Sequence, residues 1–140
     1  MRDITSVPSE PRITVAYLRT ATRSADGYNA ISRQGDRCAR YAASVGLRLD
    51  RLYADQGWSG ARGDRPALTD LLRDLDIGSI DFVIVPDASR LARGYALERL
   101  LAAEIRRCEA TVLVADGSAA VFTATNDERR AYANTEPGYA

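Results

Sequence analysis

Short apolar runs of strand character alternate with amphipathic helical stretches along this 140-residue chain, and that alternation constrains its fold more than any other feature. Ile13 to Leu18 reads as a strand. Ile31, Cys38, Tyr41, Ala42 and Val45 then fall on one stripe, which predicts a helix from about Asn29 to Val45, with Gly46 placed to end it. Leu47 to Ala54 is extended again and leads into the glycine-rich ADQGWSGARGD. A second helix is expected from Pro66, with Asp64 as its cap, Leu68, Leu71, Leu72 and Leu75 inward and Gly78 at its end. Phe82 to Val85, FVIV, is apolar on both faces, as a central parallel strand requires. After the loop PDASRLARG, Leu97, Leu100, Leu101, Ile105 and Cys108 mark a third helix, and Thr111 to Ala115 a fourth strand.

This order implies an α/β fold: a doubly wound, mainly parallel four-stranded sheet with helices on both faces. A chain of this length is expected to bury one core. We expect a flexible leader over residues 1–12, one domain over 13–116, and a tail over 117–140. The tail is poor in large aliphatics, and its Thr125-Asn126-Asp127-Glu128 has the form of a capping box, predicting at most one short helix from Asn126 to about Ala133.

The formal net charge is zero, yet all 19 basic residues are arginine. The absence of lysine and histidine excludes a histidine general base, a Schiff-base lysine, a P-loop lysine and a histidine metal ligand. With 23 alanines, the arginine bias also fits GC-rich coding, so the placement of arginines has to carry any argument for nucleic-acid binding. Cys38 and Cys108, 70 positions apart, form neither a disulfide framework nor a zinc site and are expected as buried free thiols. Without a signal-peptide core or an apolar run near ~18 residues, the expectation is a cytoplasmic protein that needs no membrane, metal or other cofactor.

In an open parallel sheet, ligands bind outside the carboxyl ends of the strands, where strand order reverses. With the common order 2-1-3-4, that point brings together the loops RTATRS and PDASRLAR. Arg19, Arg23, Arg90 and Arg93 would converge there, joined by Arg65 from the start of the second helix. Guanidinium forks match phosphate oxygens bidentately, so such a cluster suits a phosphodiester. The competing reading is a set of ordinary solvated arginines. Asp87 follows the third strand as the phosphoacceptor of a response-regulator receiver does, but that fold also needs an acidic pair after strand one and a lysine, and this chain has neither.

Four loop motifs resemble the N-terminal catalytic domain of the resolvase and invertase family of serine recombinases, over about Ile13 to Asp116. Tyr17-Leu18-Arg19-Thr20-Ala21-Thr22 is similar to the family's Tyr-x-Arg-x-Ser-Thr, and Ile31-Ser32-Arg33-Gln34 to its Gln-bearing helix start. Tyr53-Ala54-Asp55-Gln56-Gly57-Trp58-Ser59-Gly60 with Asp64-Arg65-Pro66 resembles its Asp-x-Gly-x-Ser-Gly and Arg-Pro signature. Ala88-Ser89-Arg90-Leu91-Ala92-Arg93 resembles its Leu-Asp-Arg-Leu-x-Arg. The resemblance implies strand order 2-1-3-4 and metal-free chemistry in which a serine hydroxyl attacks a DNA phosphodiester to give a phosphoseryl link. It also implies phosphate binding by Arg19, Arg65, Arg90 and Arg93, supported by Tyr17, Gln34, Asp55 and Ser59; Asp87, two positions before Ser89, could stand in for the family's acid only if the loop were rearranged.

The departures bear directly on function. Ala21 stands at the nucleophile's position and Ser89 at that of the acidic residue before the last motif's arginine. Losing a nucleophile costs on the order of a million-fold by hydrolase precedent. Thr20 and Thr22 would point away from Ala21 in an extended backbone, leaving Ser24 as a substitute hydroxyl. Alanine alone would fit an artificially inactivated enzyme, whereas the paired loss reads as decay or repurposing. The family implies a long helix and a DNA-reading domain after the catalytic domain, and this chain ends about 24 residues after the fourth strand, so sequence recognition is expected to need another molecule. The expectation is a catalytically silent recombinase-like module acting on a protein partner, such as an active recombinase, or on the DNA backbone. The alternatives are a working serine recombinase and a binder of small phosphate ligands. Trp58, the only tryptophan, is expected to pack over the sheet edge.

Overall fold

A computed structural model describes residues 12–23 and 25–117. The leader before Arg12, Ser24, and the tail from 118 onward with its expected helix lie outside the described residues. Strands β1 (Thr14–Thr20), β2 (Arg51–Gln56), β3 (Phe82–Val85) and β4 (Thr111–Val114) form one parallel sheet in the order β2-β1-β3-β4. Helices α1 (Ala25–Ser44), α2 (Pro66–Ile77) and α4 (Tyr95–Arg107) connect them, and a single turn, α3 (Ala88–Leu91), follows β3.

Strand residues alternate between two apolar layers because successive side chains leave opposite faces of a sheet. Val15, Tyr17, Val83, Val85, Val112 and Val114 face α2 and α4 and pack on Leu68, Leu71, Leu75, Leu101 and Ile105. Ala16, Leu18 and Ile84 face the other way, against Cys38 and Ala42 of α1. Two helices thus cover one face of the sheet and one helix covers the other. No helix of the described residues is long and apolar enough to cross a membrane.

Several boundaries differ from expectation for identifiable reasons. β1 continues past Leu18 because Arg19 and Thr20 still pair in register with Asp55 and Gln56. β2 begins only at Arg51, since Leu47 and Leu49 pack under α1 as irregular chain. The expected Asp64 cap is not made: Arg65 occupies the N-cap position of α2 without a side-chain bond, and Asp64 pairs with Arg62 at 2.7 Å. The helix start is capped from β2 instead, where Asp55 accepts from the amides of Ala67 at 2.8 Å and Leu68 at 3.0 Å. Gly78 ends α2 as expected, at φ 86°. Val45 and Leu100 satisfy helical periodicity but are 47% and 66% exposed, because the sheet does not extend beneath them. Cys38 is buried and Cys108 only half-buried.

Candidate active site at the carboxyl end of the sheet

β1 ends by pointing Arg19 toward the α2 face, the side that Tyr17 also occupies. Its peptide is clamped by Gln34 of α1, whose Oε1 accepts from Arg19 N at 3.1 Å and whose Nε2 donates to Arg19 O at 3.0 Å. The Arg19 guanidinium then reaches across the strand ends and donates to three carbonyls: Trp58 at 3.0 Å, Ser89 at 2.9 Å and Arg90 at 3.1 Å. The loop after β2 and the turn after β3 are thereby fastened to the end of β1.

The loop PDASRLARG is partly helical because Asp87 caps α3. Its Oδ1 accepts from Ser89 N at 3.1 Å and from Ser89 Oγ, while its Oδ2 lies 3.4 Å from Arg90 Nε. That distance reflects poor alignment, since Arg90 Nε is buried without a hydrogen-bond partner. Arg90 Nη1 donates to Arg19 O at 3.2 Å. Ser89, at the position where the family resemblance expects an acid, thus presents an exposed hydroxyl bound to Asp87.

Arg65 lies beneath these groups with no exposed surface. It donates to the carbonyls of Arg62, Arg90 and Leu91 and to the Tyr17 hydroxyl, and its guanidinium stands 5.6 Å from the Tyr17 ring centre. The Tyr17 hydroxyl in turn donates to Asp55 Oδ2 at 2.7 Å. The chain Asp55, Tyr17, Arg65 is a buried polar network joining β1, the edge strand β2, the start of α2 and the turn after β3. Burial, helped by the bond to Asp55, drives the Tyr17 hydroxyl's pKa well above its ordinary value, so it stays protonated as the donor that this network needs.

Arg93 completes the crevice. Its amide donates to Gly60 O at 2.9 Å, and a Cβ on Gly60 would stand 2.7 Å from Arg93 Cγ and 2.8 Å from Arg19 Nη2. Gly57, at φ 81°, gives Arg23 the same kind of seat. Burial, followed by the charges of Arg65 and Arg90 and more weakly Arg93, pulls the Arg19 pKa below its ordinary value. So dense a gathering of cations is tolerated where backbone carbonyls absorb part of the charge, and an incoming phosphate would relieve the rest.

The structure therefore brings Arg19, Arg65, Arg90 and Arg93 together, with Arg65 as the floor, Arg90 half-buried and Arg93 exposed. Arg23 sits apart on Gly57, and Ser59 Oγ accepts from Ala61 N at 3.1 Å in an exposed turn. Ala21 and Thr22 are exposed at the strand's end, and Thr20 is buried with its hydroxyl donating to Thr22 O at 2.9 Å. Trp58 is half-buried, and the Arg62 guanidinium lies 5.2 Å from its ring. Sequence reasoning missed Gly57 and Gly60 as seats for the arginines, although the spacing GWSG was the available signal. Among the described residues, Asp76, Glu104 and Cys108 come close enough together to hold a metal, but Arg107 is paired to both carboxylates.

Residues 14–135 match the family described as Resolvase, N terminal domain. The N-terminal catalytic domain of TP901-1 integrase superposes with a TM-score of 0.72 and 26% identity, covering 88% of this chain and 94% of that one. A resolvase family site-specific recombinase from Streptococcus pneumoniae superposes at 0.69 with 18% identity, over 89% and 87% of the two chains. The C-terminal catalytic domain of IS1535 TnpA, an IS607-like serine recombinase, is 30% identical and superposes at 0.57, over 72% and 69%.

Proposed function

The chain belongs to the resolvase N-terminal domain family, and on that premise we propose that it is a recombinase-like domain that holds a DNA phosphodiester without cutting it at position 21. Arg90 and Arg93 grip the phosphate beside Arg19, while Arg65 fixes the turn that carries them. The module acts by binding, toward DNA, a protein partner such as an active recombinase, or both.

One observation carries this reading. Ala21 lies exposed two residues beyond a guanidinium locked at the sheet's end, at the position where the family resemblance expects the nucleophilic serine. Phosphate binding needs only donors, which remain, and covalent transfer needs a nucleophile, which this position no longer has. With a formal net charge of zero, DNA affinity in isolation is weak and salt-dependent.

The test is incubation with supercoiled DNA followed by denaturing electrophoresis for a covalent protein–DNA adduct. No adduct is expected from the unaltered chain, and an adduct would overturn the silent reading. Adduct formation by Ala21→Ser alone would show that the rest of the machinery is intact. The Ser89 hydroxyl bound to the Asp87 carboxylate favours a second reading, strand transfer through a different serine. An adduct from the unaltered chain that disappears in Ser89→Ala or Ser24→Ala would establish it.

A further inference from the structure

The chain's zero net charge conceals an uneven distribution. Among the described residues, ion pairs neutralise Arg48, Arg51, Arg62, Arg73 and Arg107 around β2, the loop after it, α2 and α4. α1 is arranged differently. Its Arg33, Arg37 and Arg40 lie four and three residues apart, so they share one side of the helix. No carboxylate among the described residues stands within ion-pair distance of any of them. Asp36 lies three residues after Arg33 and four before Arg40, yet it forms no ion pair with either and lines the groove toward β2 with Tyr28 and Ile31.

On the β4 flank, Arg37, Arg40 and Tyr41 line a cleft of about 300 Å³ whose far wall is Ala115, just past the end of β4. Asp116 is the next residue along the chain and has an interaction of its own. Arg37 is aimed by its Nη2, which lies 3.4 Å from Pro86 O. Pro86 immediately precedes Asp87 and the turn bearing Arg90, so the cleft and the arginine crevice stand on either side of the end of β3. The cleft has the size and chemistry for a phosphate group: two guanidinium forks free of carboxylates, a phenol, and one small apolar wall.

We infer that this cleft is a second phosphate-binding site, occupied by another phosphodiester of the DNA whose backbone enters the Arg19–Arg90–Arg93 crevice. The inference rests on the DNA-holding reading of that crevice. A backbone crossing the end of β3 meets cations on both sides, and α1 rather than a basic arm supplies the outer contact. These contacts position the duplex without reading its sequence.

The test is fluorescence anisotropy of a labelled duplex over about 50–200 mM salt, using the unaltered chain, the double variant Arg37→Gln/Arg40→Gln, and Arg90→Gln. Both arginines of the cleft are exposed, so the double variant should keep the thermal unfolding midpoint of the parent. The expected result is a uniform loss of affinity across sequences, with the log–log salt slope falling by about 1 for each phosphate contact removed. An unchanged slope and affinity in the double variant, alongside a loss in Arg90→Gln, would overturn the α1 site and leave the crevice reading standing. A loss in the double variant with none in Arg90→Gln would remove the crevice reading and overturn the inference with it, leaving α1 as a DNA contact unrelated to the crevice. No binding by the unaltered chain at the lowest salt would remove both.

Discussion

Arg19 and Arg90 hold each other through their backbones: Arg19 Nε donates to Arg90 O at 3.1 Å, and Arg90 Nη1 donates to Arg19 O at 3.2 Å. The exchange is unequal in consequence, because Arg19 is 3% exposed and also ties Trp58 and Ser89, whereas the Arg90 side chain is 33% exposed and makes fewer carbonyl contacts. Arg19→Ala should therefore destabilise the domain by about 2–4 kcal/mol, through three carbonyls that lose a charged donor. Arg93→Ala, at an exposed side chain, should change stability by less than about 0.5 kcal/mol and act on phosphate affinity alone. Urea unfolding followed by Trp58 fluorescence measures both.

The same contrast separates Arg65 from its neighbours. If it serves as floor rather than phosphate ligand, Arg65→Ala should cost about 3–5 kcal/mol by leaving a buried polar network without its cation. Tyr17→Phe, which removes only the hydroxyl between Asp55 and Arg65, should cost about 1–3 kcal/mol. Arg65→Lys should not rescue, since an ammonium cannot fork to the carbonyls of Arg62, Arg90 and Leu91. A stable Arg65→Ala that loses DNA binding would make this residue a ligand after all.

Arg65 also marks where sequence reasoning stops. The alternation that gives the parallel sheet is legible because Val83, Ile84 and Val85 must be apolar on both faces, and the order β2-β1-β3-β4 accompanies the family's motifs. An arginine beside a helix start, however, reads alike whether it meets phosphate or carbonyl oxygen. Two of the carbonyls that hold Arg65 come from residues 25 and 26 positions away, and only the folded turn after β3 presents them. α3 is not predicted because four residues are too few for periodicity, and nothing in the sequence marks Asp87 as a helix cap rather than an acid of the site. Leu100 was misplaced because a helical stripe does not say how far the sheet beneath it extends.

Gly60 sets the spacing of the crevice. In Gly60→Ala the new methyl meets Arg93 Cγ at 2.7 Å and Arg19 Nη2 at 2.8 Å. Arg93 can swing away, but Arg19 is held by three carbonyls, so the strain falls on the fixed group. We expect a stability loss of about 1–3 kcal/mol together with weaker DNA binding. Gly63→Ala, whose methyl meets only Leu97 Cδ1 at 3.3 Å, should leave binding unchanged. Equal binding by both variants would mean that the seat of Arg93 does not shape the proposed phosphate site.

Cys38 lies between α1 and the sheet, where burial pushes its thiol up to about 12, against a small downward pull from Arg37. In the unfolded chain the thiol ionises near about 8.5. Between those values the unfolded chain binds fewer protons than the folded one, so stability falls as pH rises. The contribution is complete below about 8.5 and is lost as the pH climbs toward the folded value. Tyr53, raised to about 12 mainly by burial and then by its bond to Asp74, acts in the same direction from a higher starting point. The urea midpoint should therefore drop between about pH 8 and pH 11, and less steeply in Cys38→Ala. In the native protein at about pH 8, a thiol reagent should label Cys108 first and reach Cys38 only on unfolding. Prompt labelling of both cysteines, or an alkaline slope unaltered by Cys38→Ala, would show that α1 does not seal this face of the sheet.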